Sequence, residues 1–462
     1  MNRWLKYTAA LISLICLVQI SFYTQRHEFA TLFATYAVFF STYLWVLKKV
    51  KTDTDINFFI FIGIILRGVA VFSFPNLSDD IYRFLWDGRL VNLGENPFTH
   101  TPQYYIENQL FSEHLTPELF SKLNSPNYFS VYPTICQCVF STATFLFPKS
   151  IYGASVVIKL FLFACELGSI FLIKKMTKPN ADLPPLSINE QNAFISHLIY
   201  ALNPLTIIEL VANAHFEAAM IFFFLFSIFL LKKGFVNKRL LSSAALFSLS
   251  VVSKMLPLIF LPLFLKRLGW KKSFYYWLTI GLLVLILLLP IYNSLFFNNI
   301  GKSLSLYFVN FEFNASIYYL LEAIGFNIYG FNLIHQLSPY LILIVLLFIA
   351  KKTFFDRKGK VDNDWIVPFF NDCLMVVSVY FACATTVHPW YAALPLACSV
   401  FTTWRFPMVW TFFIFLTYAG YTEGSSKHTE NIVCLIIEYS AVYAFFIFEW
   451  ISREKEKNIN TT

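Results

Sequence analysis

The chain has 462 residues, of which 57% are hydrophobic and 13% charged, about half the charged share of a soluble domain. Its mean hydropathy is +0.60, and the net charge of +8 is carried by short Lys/Arg loops such as "KKGFVNKR" and "KRLGWKK". These values exclude a soluble enzyme and argue against a nucleic-acid binder. A transmembrane barrel would need alternating strands of about ten residues, which do not occur.

Apolar runs of about 17 to 25 residues, enough to cross roughly 30 Å of hydrocarbon, recur along the chain. They are expected near 5–22, 29–47, 57–74, 131–147, 151–173, 193–211, 214–231, 240–265, 273–292, 336–350, 366–385, 391–404, 407–421 and 430–450. The expected fold is an all-α polytopic transmembrane bundle of about 11 to 14 membrane segments in one domain, 1–462. Leu5 to Phe22 lacks a cleavage site and reads as a retained helix, so residues 1–50 make a pair of leading spans. The eight cysteines are scattered and show no zinc spacing, so they read as free thiols.

Basic residues fix a topology. Arg3 and Lys6 put the amino terminus inside, and Lys48, Lys49 and Lys51 return inside after two crossings. The third span then exits before Ser78, so residues 75–130 form a first outer loop. From the other end, Arg453, Lys455 and Lys457 are inside, "TTVHPWY" is outside, and Lys351 to Lys360 is inside. Residues 293–335 then form a second outer loop. Two runs resist the count. The 240–265 run lies between basic loops and carries Lys254 and Pro257 at its middle, which suggests a hairpin of two half-helices. The short 131–147 run would put "KKMTK" outside if it crossed, and the sequence leaves open whether it is re-entrant.

The polar residues with chemical potential fall on the outer side. "SDDIYRFLWDGRLVNLGENPF" places Asp79 and Asp80 where the third span ends, with Asp80, Arg83 and Asp87 following one another at three- and four-residue spacing on one helix face. A partly desolvated carboxylate there can take a proton from a sugar hydroxyl; the competing reading is a helix cap with a surface ion pair. "ELVANAHFEA" sets His215 and Glu217 on a tight outer turn. Lys254 lies too deep to snorkel and is placed to meet a phosphate. "FEFNASIYYLL" contributes Asn314 within an aromatic amphipathic stretch, and "TTVHPWY" puts His388, Trp390 and Tyr391 at a helix end. Arg67, Lys159 and Glu166 lie inside apolar runs, the last two on one helix face.

With "VYPT", "ALNPLTIIELVANAHFEA" and "SKMLPLIFLP", these motifs resemble the GT-C superfamily of integral-membrane glycosyltransferases. The likeness is to polyprenol- or dolichol-phosphate-mannose-dependent mannosyltransferases, including the first enzyme of GPI-anchor mannosylation and its bacterial relatives. It runs in order from about residue 75 to 395, with "YPT" where "YPP" is expected and two extra leading spans. The resemblance implies a membrane enzyme that passes a sugar, mannose by the closest likeness, from an outer-leaflet polyprenyl-phosphate carrier to a glycan or lipid-linked acceptor in one inverting displacement. It implies Asp80 as base with Asp79 beside it, and Arg83, Lys254 and His388 around the donor phosphate. Asp87, His215, Glu217, Asn314, Trp390 and Tyr391 would position substrate. Some members of the superfamily bind a divalent metal at the acidic motif; two adjacent aspartates are too few ligands to assign one. No cofactor follows, and no Gly-rich nucleotide loop is present. The alternatives are a transporter or flippase of lipid-linked sugars, which should show an internal repeat, and an O-antigen ligase or polymerase, whose principal loop should come late in the chain.

Overall fold

The computed structural model describes residues 1–177, 190–309, 311–355, 365–424 and 428–461. The basic stretch Lys351 to Lys360 lies outside these residues from position 356 onward, as do Lys178 of "KKMTK" and residues 425–427 of the last outer loop. Among the described residues eight helices are long and apolar enough to cross a membrane. Ile195–Ala201 and Pro204–Ala212 are apolar and long enough only when taken together, as a pair bent by 44°. Pro204 has no amide hydrogen to continue the helix, and the Asn203 side chain caps the new start by accepting from the Leu205 amide at 3.0 Å. No strand forms among the described residues; a single bridge joins Phe313 to Thr386. The fold is the all-α polytopic bundle that composition and periodicity imply.

Helices α1 (Arg3–Val18), α2 (Phe29–Lys49) and α3 (Asp53–Val71) run up, down and up. Thr52 caps α3 by accepting from the Asp55 amide at 3.2 Å. The helix Ile151–Thr177 lies antiparallel to α3: Tyr152 donates to the Phe72 carbonyl at one end, and Lys174 donates to Asn57 at the other. Lys232 closes the same far end on the Met176 carbonyl at 2.6 Å. One end of the bundle therefore collects basic turns. The other carries α4 (Asp80–Asn92), the helix that opens with the acidic motif.

This geometry resolves both runs that the topology count left open. The helix Thr134–Leu146 has 13 residues, about 20 Å, which is too short to cross. It packs alongside α4, and both its ends stay at the α4 end: Thr134 donates to the Leu287 carbonyl, and Phe147 lies against Gly153. Gly88 of α4 permits the approach, because a Cβ there would overlap the Phe140 carbonyl. The described part of "KKMTK" thus stays with the other basic turns. The 240–265 run is a hairpin: the helix Asn237–Val251 breaks, turns through Val252 to Met255, and returns as the 3₁₀ segment Leu256–Phe264. A second reversal follows at Gly269, whose φ of 71° suits glycine. Trp277 then donates back to the Leu261 carbonyl at 2.9 Å.

The buried charges pair differently from their spacing on the helix. Glu166 pairs with Arg67 of α3 at 2.9 Å, while Lys159 donates to the Ser73 carbonyl at 2.6 Å and so closes the end of α3. In the second loop region, the helix Ile317–Tyr329 exposes Leu320, Ile324 and Ile328 along one stripe. The two loop regions are sewn together, with Asn96 donating to the Ile291 carbonyl at 2.7 Å and Asn299 to the Phe98 carbonyl at 2.8 Å.

Candidate functional site

The site is assembled where α3 hands over to α4. Neither aspartate caps a helix with its side chain. The Ser78 hydroxyl accepts the Asp80 amide at 3.3 Å, and Asp79 makes no side-chain cap bond. Both carboxylates are therefore available for long-range contacts. Asp79 pairs with Arg26, from the turn between α1 and α2, at 2.5 Å. Asp80 accepts from Asn124 at 2.9 Å and from the Tyr132 hydroxyl. Burial pushes the Asp80 carboxyl above its ordinary value, with Asn124, the Lys254 charge and Tyr132 pulling the other way and Asp79 adding to the rise.

Arg83 and Asp87, four residues apart on α4, face into protein. Arg83 Nε meets Asp87 at 2.7 Å, and its Nη1 donates to the Ser125 and Tyr128 carbonyls at 3.1 and 2.9 Å. Asp87 also accepts from Ser130 at 2.5 Å and Gln137 at 3.1 Å. The pair is buried and not the surface ion pair of the competing sequence reading. It fastens the 125–130 turn and the helix Thr134–Leu146 to α4.

Lys254 occupies the tight turn of the half-helix hairpin. Its ammonium donates to Glu217 at 2.6 Å and lies 5.5 Å above the Tyr391 ring. The side chain is 25% exposed, so a ligand can reach it. Glu217 is fully enclosed, and its Oε2 has no hydrogen-bond partner. Beside it stands a column of rings. His215 stacks on Trp390 at 3.6 Å, Trp390 on His388 at 4.5 Å, His388 against Phe313 at 4.4 Å, and Phe313 against His428 at 4.3 Å. The Phe313 bridge fixes this register, with its amide donating to Thr385 at 3.0 Å and its carbonyl accepting from Val387 at 2.8 Å. Burial, together with the Lys254 charge, holds both imidazoles down, His215 well below 6.5 and His388 to about 3, so both are neutral near pH 7.

Within this cluster three buried polar atoms have no partner, Glu217 Oε2, His388 Nδ1 and Trp390 Nε1, while His215 Nε2 faces the Glu209 carboxylate at 3.4 Å. Buried polar atoms are nearly always paired. Three in one place, next to a reachable ammonium, leave hydrogen-bonding capacity unused at this end of the bundle.

The sequence-derived candidates thus divide. Asp79, Asp80, His215, Glu217, Lys254, His388, Trp390 and Tyr391 meet at one end of the bundle. Arg83 and Asp87 sit behind them in the loop clamp. Asn314 faces elsewhere: its amide donates to Glu430 at 2.6 Å, its side chain donates to Glu438 at 3.2 Å, and its carbonyl accepts from Tyr439. Sequence reasoning missed Arg26, Asn124 and Glu209. Glu209 lies 3.4 Å behind His215 and accepts from Tyr418 at 2.8 Å. The signal for Arg26 was a lone cation on an outer turn, against the positive-inside rule. Among the described residues no three His, Cys, Asp or Glu side chains converge to hold a metal ion.

The family model of the alpha-(1->6)-mannopyranosyltransferase N-terminal domain matches residues 8–268, more than half the chain. No curated protein matches, and no solved structure matches. The matched span holds the acidic motif, the His215 turn and Lys254. Taken with the crossing helices, it shows that the chain belongs to the alpha-(1->6)-mannopyranosyltransferase family and is an integral-membrane mannosyltransferase of the GT-C type.

Proposed function

We propose that the enzyme takes mannose from a polyprenyl-phosphate carrier and passes it to a hydroxyl of a glycan or lipid-linked acceptor, on the non-cytoplasmic side, by a single inverting displacement. The observation that carries this reading is the cluster of Asp80, Glu217, Lys254, His215, His388 and Trp390, drawn from separate segments around three unpaired polar atoms. The acceptor hydroxyl gives its proton to the Asp80 carboxylate as its oxygen bonds to the mannosyl anomeric carbon. The bond from that carbon to the phosphate oxygen breaks, and the electron pair leaves with the lipid phosphate. Lys254 offsets the charge that grows on the phosphate. His388, being neutral, serves as a hydrogen-bond donor there and not as a cation. Arg83 acts at one remove by holding α4 in place. His215, Glu217, Trp390 and Tyr391 position the sugar.

The basic turns that gather at the opposite end suit the cytoplasm and support this side for the site.

The test uses the purified full chain, polyprenyl-phosphate mannose as donor and octyl α-mannoside as acceptor. Asp80→Asn is expected to abolish transfer with the thermal midpoint retained. Persistent transfer in a folded Asp80→Asn enzyme removes Asp80 as the base.

A further inference from the structure

Two adjacent carboxylates compete for one proton, so something must assign them separate tasks. We infer that Arg26, delivered by the turn between the first two helices, is a positioning residue that ties the Asp79 carboxylate into an ion pair and leaves Asp80 to accept the proton. The inference rests on the proposal that Asp80 is the base, and it gives the two leading helices a role in the chemistry.

The geometry is specific. Arg26 Nη2 meets Asp79 Oδ2 at 2.5 Å, and the guanidinium lies 4.7 Å above the Tyr421 ring. Tyr421 in turn meets His428, the last ring of the column, at 4.9 Å. The turn is itself held in place. Asn76, three residues before Asp79, donates to the Ser21 carbonyl at 3.3 Å, and Thr24 donates to the Gln19 carbonyl at 2.9 Å. On the α2 side, Tyr36 stacks on Phe415 at 3.6 Å and donates to the Thr411 carbonyl. The cation therefore comes from a braced element and not from a loose loop. Its Asp79 partner is 28% exposed and Arg26 is 18% exposed, so the pair borders the site and is not sealed in the core.

The groups that bear most on Asp80 are few. Asp79 and Glu217 raise its proton affinity, while Lys254 lowers it; Asn124 and Tyr132 hydrogen-bond it. Tyr421 and Tyr82 also stand beside the aspartates, both neutral near pH 7 because burial raises them, and Lys122 lies 5.3 Å above the Tyr82 ring. Arg26 is the cation that makes direct contact with Asp79. Without it, a second bare carboxylate next to Asp80 would make Asp80 hold its proton to higher pH, and less of the enzyme would carry a working base.

The test is a charge cycle on the full chain, reading the acid limb of the kcat–pH profile with polyprenyl-phosphate mannose and octyl α-mannoside. Arg26→Gln should move the limb up by about one pH unit, the size of a close charge effect, and Arg26→Lys should restore it. Asp79→Asn should move the limb down. The double variant Arg26→Gln/Asp79→Asn, in which net charge is recovered, should return it close to wild type even if each single variant is less stable. A merely structural tether predicts lower activity with an unmoved limb, and that result overturns the inference. So does a double variant that titrates like Arg26→Gln alone. Asp80→Asn measured alongside separates the two claims. If it is inactive while the Arg26→Gln limb stays put, only the Arg26 assignment fails. If it is active, the base assignment fails first.

Discussion

Two enclosed ion pairs in this protein behave as opposites. At mid-bundle, Arg67 and Glu166 are fully matched: the guanidinium reaches Glu166, the Gly63 and Ala201 carbonyls and Thr206, and Tyr200 donates to the remaining Glu166 oxygen at 2.7 Å. At the α4 end, Lys254 and Glu217 make one short bond and leave Glu217 Oε2 bare near two unpaired ring nitrogens, those of His388 and Trp390. The first pair needs nothing further, and its geometry joins α3 to two other helices. The second is incomplete until something binds. A satisfied buried network marks architecture, and an unsatisfied one beside an opening marks where a substrate completes the pattern.

That contrast can be broken by mutation. The largest effect is expected from Arg67→Met, which strands Glu166 and should destabilise the fold by about 3–5 kcal/mol. It is read as a fall in thermal midpoint or loss of folded protein in detergent. The double variant Lys254→Met/Glu217→Gln, which removes both members so that no carboxylate is stranded, should do the reverse, leaving the midpoint nearly unchanged while kcat falls by on the order of 10²-fold. Equal loss of stability in both would erase the distinction. A smaller, pH-dependent effect concerns Asp80. Its folded carboxyl binds the proton more tightly than the unfolded chain, so its stability penalty is absent below the unfolded value and complete above the folded one. Asp80→Asn should therefore be at least as stable as wild type at pH 7, and the wild-type activity limb should lie above the ordinary 3.8. For His388 the sign is opposite. Its folded value of about 3 lies below the ordinary 6.5, so its contribution is lost as pH falls across that interval. His388→Gln should flatten that part of the stability curve. The smallest effect is expected from Trp390→Phe, which keeps the stack and removes the unpaired indole N–H; KM should rise by about five- to tenfold, roughly one hydrogen bond, with kcat little changed.

Much of this was legible in the sequence for physical reasons. Hydrocarbon crossings need unbroken apolar length, so the bundle was visible. A lysine with a nearby proline in the middle of such a run had to lie at a break, which is where Lys254 sits. The aspartate pair, His215 and His388 lay beside apolar runs, where water is scarce and polar groups are kept for a reason. Partner choice was not legible. The four-residue spacing of Arg83 and Asp87 gave their pairing, but the Ser125–Ser130 turn that encloses them comes from some forty residues away. Arg26 reaches Asp79 only because α1 and α2 fold against α3, and Asn314 turns toward Glu438 only because a helix more than a hundred residues later passes behind it. The helix Thr134–Leu146 was ambiguous because length and charge gave conflicting counts; in the fold, length decided.

Asp80, Arg83 and Asp87 lie on one 13-residue helix, all to the same side of Gly88, where the Phe140 carbonyl leaves no clearance. A wedge inserted at the 125–130 turn, whether an antibody loop or a small inhibitor, would therefore press on the very stretch of backbone that carries the base and spoil its aim without touching the sugar.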